Sequence, residues 1–334
     1  MAGHALLKID PLKYQHYKRL NMKSLPHQGQ DIAFHEIHQD VQLSARQLTS
    51  LKLHSILNIM NVISGNLSLL ALSYPDPELE NIAALDREFF TILRNAEDVR
   101  MIDFNAYSLP KRRYLEQLEA RAAGLDGAPQ DGKTATIIKM IASFLDRLDE
   151  TKDKILKSAS QDEARWREFS RLEIEERIRR FLSDVARNSK GRYGVAFAPF
   201  ANEPHENDYR VFIDIDSPED KVPLPESFVD VLQDLIGNAR KYTSPGGSIS
   251  LRIYQHQSEL MIEVRDTGRG IPEAEIADVV KFGFRASNIQ QESSAGGFGM
   301  TKSYYLTKKN RGRMWIASAV EQGTCVRISL PLGG

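Results

Sequence analysis

The stretch Gln233-Asp-Leu-Ile-Gly-Asn-Ala-Arg-Lys-Tyr-Thr243, read together with Asp266-Thr-Gly-Arg-Gly-Ile-Pro272 and Ala295-Gly-Gly-Phe-Gly-Met300, decides the fold of this chain. In the first, helical spacing puts Asp234, Asn238 and Lys241 on one face. An amide that can ligate a metal, an ammonium and a carboxylate together suit a Mg²⁺-bound triphosphate. In the second, a carboxylate at the end of a strand can accept an exocyclic amine proton, and Gly268 and Gly270 let backbone approach a ligand closely. In the third, glycines opening a helix form a phosphate site from free N–H groups and the helix dipole. Taken singly, the bland readings weigh more: a solvated helix face, an Asp/Gly turn, a flexible glycine loop. In this order, between Gln233 and Met300, the three make a strong signal.

Around them the pattern is α/β. Strands are expected at 210–216, 248–256, 259–265, 312–319 and 324–330, with helices at 224–242, 272–281 and 299–309. That is a mixed sheet covered by helices. The chain has 334 residues, which leaves room for a second region beside this domain. Hydrophobic residues at 41% and charged residues at 27% describe a globular chain with a real core. Forty-four Lys and Arg against 45 Asp and Glu leave a net charge of −1, so no nucleic-acid partner is expected. One cysteine, Cys325, excludes an intrachain disulfide and fits a reducing, cytoplasmic setting. No signal-like start or 18-residue apolar run is read, so no membrane span is expected.

Upstream of residue 190 the composition turns helical. One long helix is expected over 37–73, with apolar residues at 53, 56, 60, 63, 67 and 70, the spacing of a coiled-coil or four-helix seam. Tyr74-Pro75-Asp76-Pro77 breaks it, and a second helix over 78–102 makes an antiparallel hairpin. A seam this wide predicts a homodimer. Further helices are expected at 110–123, 133–158 and 162–188, and residues 1–36 read as an arm without a clear role. With Leu53 and Ile56 on the seam, His54, Asn58, Asn61, Gly65 and Ser68 fall on the outward stripe. An outward histidine can offer a ring nitrogen to a phosphoryl group, whereas a core histidine cannot; an ordinary surface histidine is the plain alternative.

These motifs resemble those of two-component histidine kinases, within the superfamily shared with gyrase, the Hsp90 chaperones and MutL. The resemblance covers about residues 190 to 334 well, and Leu53-His54 through Gly65 is similar to the family's phosphoacceptor box. It implies that Asn238 holds Mg²⁺, that Lys241 and Tyr242 lie near the phosphates, and that Asp266, with Gly268 and Gly270, meets the adenine amine. Phe282 and Arg285 look like the phenylalanine box, Gly297 and Gly299 like the second glycine box, and Thr324 opens the closing strand.

The fold class expected is therefore α+β: an N-terminal helical hairpin or four-helix-bundle dimerisation region, then an α/β sandwich ATP-binding domain of the gyrase/Hsp90/histidine kinase type. The expected divisions are 1–36 (arm), 37–108 (phosphotransfer hairpin), 109–189 (connector) and 190–334 (ATP-binding domain). The resemblance implies ATP and Mg²⁺ as cofactors, phosphorylation of His54 and a response-regulator receiver domain as partner. Asn58 stands where relatives align water for dephosphorylation, and Asp234 where gyrase and chaperone relatives carry a water-activating Glu. Ser55 follows His54 where the family carries an acid, which implies slow autophosphorylation. Two other readings stay open. A superfamily ATPase or serine/threonine kinase predicts turnover that survives loss of His54, and a non-catalytic nucleotide-binding scaffold predicts binding without a phosphoprotein.

Overall fold

A computed structural model describes residues 32–73, 76–123, 132–160, 165–187, 189, 191–200, 203–289 and 297–332. The elements in chain order are β1 (His35–Glu36), α1 (Ala45–Ser73), α2 (Pro77–Asn95), α3 (Phe104–Ala123), α4 (Gly132–Ser160), β2 (Trp166–Ser170), α5 (Arg171–Arg187) and β3 (Val195–Phe197). They continue with β4 (Tyr209–Asp216), β5 (Lys221–Pro225), α6 (Phe228–Tyr242), β6 (Ser248–His256), β7 (Glu259–Asp266), α7 (Gly299–Lys309), β8 (Arg313–Ser318) and β9 (Thr324–Pro331). They fall into two compact units: Val41–Arg165, and residues 32–40 with 166–332.

In the helical unit, local chemistry sets the helix starts. Ser44 and Gln47 form a reciprocal capping box, Ser44 N–H to the Gln47 side chain at 2.9 Å and Gln47 N–H to Ser44 Oγ at 3.2 Å, so α1 begins at Ala45 and not at 37 as expected. Asp76 caps α2 through the Glu78 N–H at 2.9 Å, with Pro77 in the first turn. The second expected helix therefore stops at Asn95, and Asp103, accepting from the Asn105 N–H at 3.0 Å, opens α3 earlier than the expected residue 110.

The seam residues Leu53, Ile56, Met60, Ile63, Leu67 and Leu70 are at most 1% exposed within this single chain. Residues from α2, α3 and α4 complete their core, among them Phe89, Tyr107, Tyr114, Ile141, Leu145 and Leu148. That corrects the argument for a second copy: the apolar surface that one hairpin leaves open is covered by the chain's own later helices. Of the additional helical region from 109, whose place in the bundle periodicity leaves open, α3 and α4 share the hairpin's core. By length and apolar content Ala45–Leu72 could cross a bilayer. Its seam is core instead, and its other face carries the exposed Asn58, Asn61 and Ser68.

One buried polar knot ties three of these helices together. The Lys111 ammonium of α3, fully buried, lies 2.9 Å from Asp86 of α2 and 3.7 Å from the centre of the Tyr107 ring, while Ser64 of α1 donates to the same carboxylate. Burial pulls the Lys111 pKa down and Asp86 pulls it back up. Removing either partner would leave a buried charge unpaired.

The second unit is a seven-stranded mixed sheet in the order β1-β8-β9-β7-β6-β4-β3, with parallel pairing only at β3–β4 and β4–β6. Alternation marks its strands: Ile249, Leu251 and Ile253 of β6 are buried while Arg252 is exposed. Helix α5 packs on β3, α6 on β6 and β7, and α7 on β8 and β9. The α+β class with a helical region before an ATPase-type sandwich is as expected from the sequence. Three details differ. Residues 162–188 are not one helix, because β2 precedes α5 and pairs antiparallel with β5, and Ser170 Oγ caps α5 through the Glu173 N–H at 3.1 Å. The expected helix over 272–281 is a single 3₁₀ turn at Glu273–Glu275 followed by further turns. Residues 32–40, expected to be split between an arm and the first helix, belong to the sheet. His35 pairs with Ile316 and Glu36 with Trp315, Ile37 is buried, and the buried Tyr304 hydroxyl lies 3.0 Å from the Ile37 carbonyl and 2.9 Å from that of Gln39.

Candidate nucleotide site and phosphoacceptor helix

Helix α6 carries Asp234, Asn238, Lys241 and Tyr242, and its apolar side, including Val231, Leu232, Leu235 and Ile236, is buried against the sheet unit's core. Burial of that side leaves the polar side toward the start of α7. A methyl group on Gly299 would stand 3.2 Å from Asn238 Nδ2 and 3.7 Å from Asp234 Cβ, so the first turn of α7 lies directly on the two polar residues. Lys302, one turn further along α7, places its ammonium 3.1 Å from Asp234 Oδ2. The sequence reading missed Lys302 because a lysine on a polar helix face looks like a solvated one; its spacing of three from Gly299 was the available signal.

The floor comes from the strand ends. Asp266 closes β7 and accepts the Gly268 N–H at 2.8 Å, as well as the Thr324 N–H. Burial nevertheless pushes its carboxyl up to about 7, against those two hydrogen bonds. Gly268 is required by space: a methyl there would stand 2.5 Å from the Tyr242 carbonyl oxygen, which accepts the Arg269 N–H at 3.1 Å. Gly270 is required by both conformation and space, with φ +67° and the Ala319 carbonyl occupying the place of a Cβ. Ser318, buried, fastens this loop to the β8–β9 turn. It accepts the Ile271 N–H at 2.9 Å, donates to the Gly323 carbonyl at 2.9 Å and lies 2.9 Å from Thr324 Oγ1.

Around the rim, Phe282 and Phe298 pack ring to ring at 4.7 Å, and Thr301 Oγ1 donates to the Lys281 carbonyl at 3.0 Å, so the phenylalanine segment holds the start of α7. Gly297 turns with φ +69° under the Phe284 carbonyl. Burial and then the charges of Arg285 and Arg240 lower the Lys241 pKa, and burial raises that of Tyr242 against the pull of Arg285 and Arg269. The site thus gathers Asp234, Asn238, Lys241, Tyr242, Asp266, Gly268, Gly270, Phe282, Arg285, Gly297, Gly299 and Thr324 in one unit. Ala295 and Gly296 of the third motif lie outside the described residues.

For a metal, the fit is to an amide with outside help. Among the described residues no three His, Cys, Asp or Glu side chains gather into a cage. Asp234 Oδ2, paired with the Lys302 ammonium, sits one helical turn from Asn238. The donor set therefore fits Mg²⁺ only as the Asn238 amide completed by the phosphates of a nucleotide and water.

In the helical unit His54 is half-buried and Asn58 exposed on α1. Asn58 Nδ2 stands 3.3 Å from His54 Nε2, a contact in which the amide donates when Nε2 is the ring's unprotonated nitrogen. Ser55 is exposed beside it.

Residues 224–334 match the model of the histidine kinase-, DNA gyrase B- and HSP90-like ATPase family. The chain is 34% identical over 109 residues to the adaptive-response sensory kinase SasA of Synechococcus sp. (strain JA-3-3Ab), covering 32% of this chain and 29% of that one. Over 108 residues it is 32% identical to the circadian input-output histidine kinase CikA of Synechococcus elongatus, covering 32% of this chain and 14% of that one. The chain therefore spans less than a third of the length of these curated relatives. Among solved structures it is similar to a mycobacterial sensor histidine kinase, MprB, with 21% identity and a TM-score of 0.36 over 50% of this chain and 97% of that one.

Proposed function

Because residues 224–334 form an ATPase domain of the histidine kinase-, DNA gyrase B- and HSP90-like family, in the form two-component sensor histidine kinases carry, we propose that the chain binds Mg²⁺·ATP and phosphorylates its own His54. The observation that carries this reading is the meeting of the glycine-led start of α7 with the Asn238 amide, in the same unit as the Asp266 carboxyl. Asp266 receives the adenine amine, the N–H groups after Gly297 face the phosphates, and Lys241 with Arg285 neutralises them. A Mg²⁺ on Asn238 supplies further charge neutralisation at the phosphates. His54 Nε2, unprotonated under the Asn58 amide, attacks the γ-phosphorus as the bond to the ADP oxygen breaks; the Nδ1 proton then leaves to solvent. The phosphoryl group passes on to a receiver-domain aspartate of a response regulator, and Asn58 orients water for its later removal. The setting proposed for this chemistry is the cytoplasm.

Since α4 covers the seam in the same chain, the homodimer proposed here would join two copies through another surface of the bundle. Sedimentation velocity at micromolar concentration is expected to give a dimer, and a monomer there would overturn this part of the reading.

The test is incubation with γ-labelled ATP. Wild type should acquire an acid-labile, base-stable label; His54→Ala should acquire none, and Asn238→Ala should acquire it about 10²-fold more slowly or worse. Label or turnover that persists in His54→Ala would move the assignment to a water-directed ATPase or a serine/threonine kinase.

A further inference from the structure

Two helices approach each other in matched steps. Asn238 faces Gly299, and one turn away on each helix, running in opposite directions, Asp234 faces Lys302 with its oxygen 3.1 Å from the ammonium. Both side chains of this pair are largely withdrawn from water, at 15% and 20% exposure. An ion pair so placed is screened far less than one on an open surface. Gly299 stands two residues after the glycine turn at Gly297, so whatever holds the first turn of α7 to α6 also sets where those N–H groups point.

Resting on the nucleotide-site reading above, we infer that Lys302 is a positioning residue of that site: through its ion pair with Asp234 it fixes the start of α7 on Asn238 and neutralises a carboxylate that would otherwise face the nucleotide phosphates. Two consequences follow for the chemistry. Asp234 is engaged as the partner of a lysine, which argues against its acting as a general base toward water. A bare carboxylate beside a triphosphate repels it, and a divalent cation offsets that repulsion, so loss of Lys302 has to show most strongly when Mg²⁺ is absent.

The experiment is calorimetric titration of the full chain with ATP, in Mg²⁺ and in chelator, for wild type, Lys302→Met, Lys302→Arg and the double variant Asp234→Asn/Lys302→Met. Methionine keeps the length and apolar stem of lysine without its charge. Lys302→Met is expected to lose about tenfold in affinity for metal-free ATP and about threefold or less for Mg²⁺·ATP. Lys302→Arg should stay within about twofold of wild type, and the double variant should recover most of the metal-free loss. The two tryptophans, Trp166 and Trp315, both belong to the sheet unit, so an unchanged fluorescence melting transition shows that Lys302→Met is folded. Equal losses with and without Mg²⁺, no loss at all, or a double variant no better than Lys302→Met would overturn the inference. Wild-type protein that binds no adenine nucleotide would instead remove the nucleotide-site reading on which it rests.

Discussion

Ile63→Glu is expected to unfold the helical unit and leave the sheet unit standing. Ile63 is fully buried in the seam, where it meets the core shared by α1, α2, α3 and α4. A carboxylate forced into that core either stays charged without compensation or takes up a proton at the expense of its solvation, and the lost packing adds to the penalty. Together these cost about 4 kcal/mol or more, a large share of the roughly 5–15 kcal/mol that holds a domain folded. The two units can be read apart because far-UV circular dichroism is dominated by four long helices, whereas both tryptophans report on the sheet unit. The expected record is a collapse of the 222 nm signal with a preserved fluorescence transition. Wild-type helicity and melting in this variant would mean that the seam is not the core.

The second large effect concerns Asp266. Its carboxyl, ordinarily near 3.8, is raised to about 7 by burial. The sign for stability follows directly. Below the unfolded value both states hold the proton and the site costs nothing. As pH rises through the folded value the penalty of a buried charge is complete, on the order of 4 kcal/mol lost between acid and neutral pH. An adenine amine donating to the carboxylate favours its ionised form. Nucleotide binding near pH 6.5 should therefore release a proton, and affinity should rise from pH 6 to pH 8. Asp266→Asn should abolish that rise and weaken ATP binding by about tenfold to a hundredfold, because an amide nitrogen then faces the ligand amine, while the empty protein gains stability at neutral pH. Calorimetry in buffers of different ionisation enthalpy measures the proton directly. A wild-type affinity flat over this range, with no proton release, would show that Asp266 does not receive the base.

How much of this could be read beforehand depended on how local each signal was. β4, β6, β7, β8 and β9 announce themselves by alternation because each buries one face in the sheet. β5 does not, since Pro223 and Pro225 argue against a strand, and β2 hides in front of an amphipathic helix whose period runs through it. β1 has only two residues, and its partner lies at the far end of the chain. The residues of the candidate site were legible as motifs because each of the three fits a single turn or loop. Lys302 was not, because its role depends on Asp234, a residue on another helix. The bundle was half legible: the seam of α1 was evident, but periodicity cannot say whether the covering helices come from the same chain or from a copy.

The short strand β1 also fixes an order of events during synthesis. His35 leaves the ribosome roughly 280 residues before its partner Ile316, a delay of about 14 to 56 seconds at ordinary translation rates. Residues 41–165 emerge whole within that interval and hold their own core. The four helices are thus set to mature as an independent nascent domain while the segment before them waits, and the sheet is sealed at its β1 edge only when the last strands arrive. Insertion of one folding unit within another makes the ATPase sandwich the later of the two to be born, although it owns the earlier stretch of described chain.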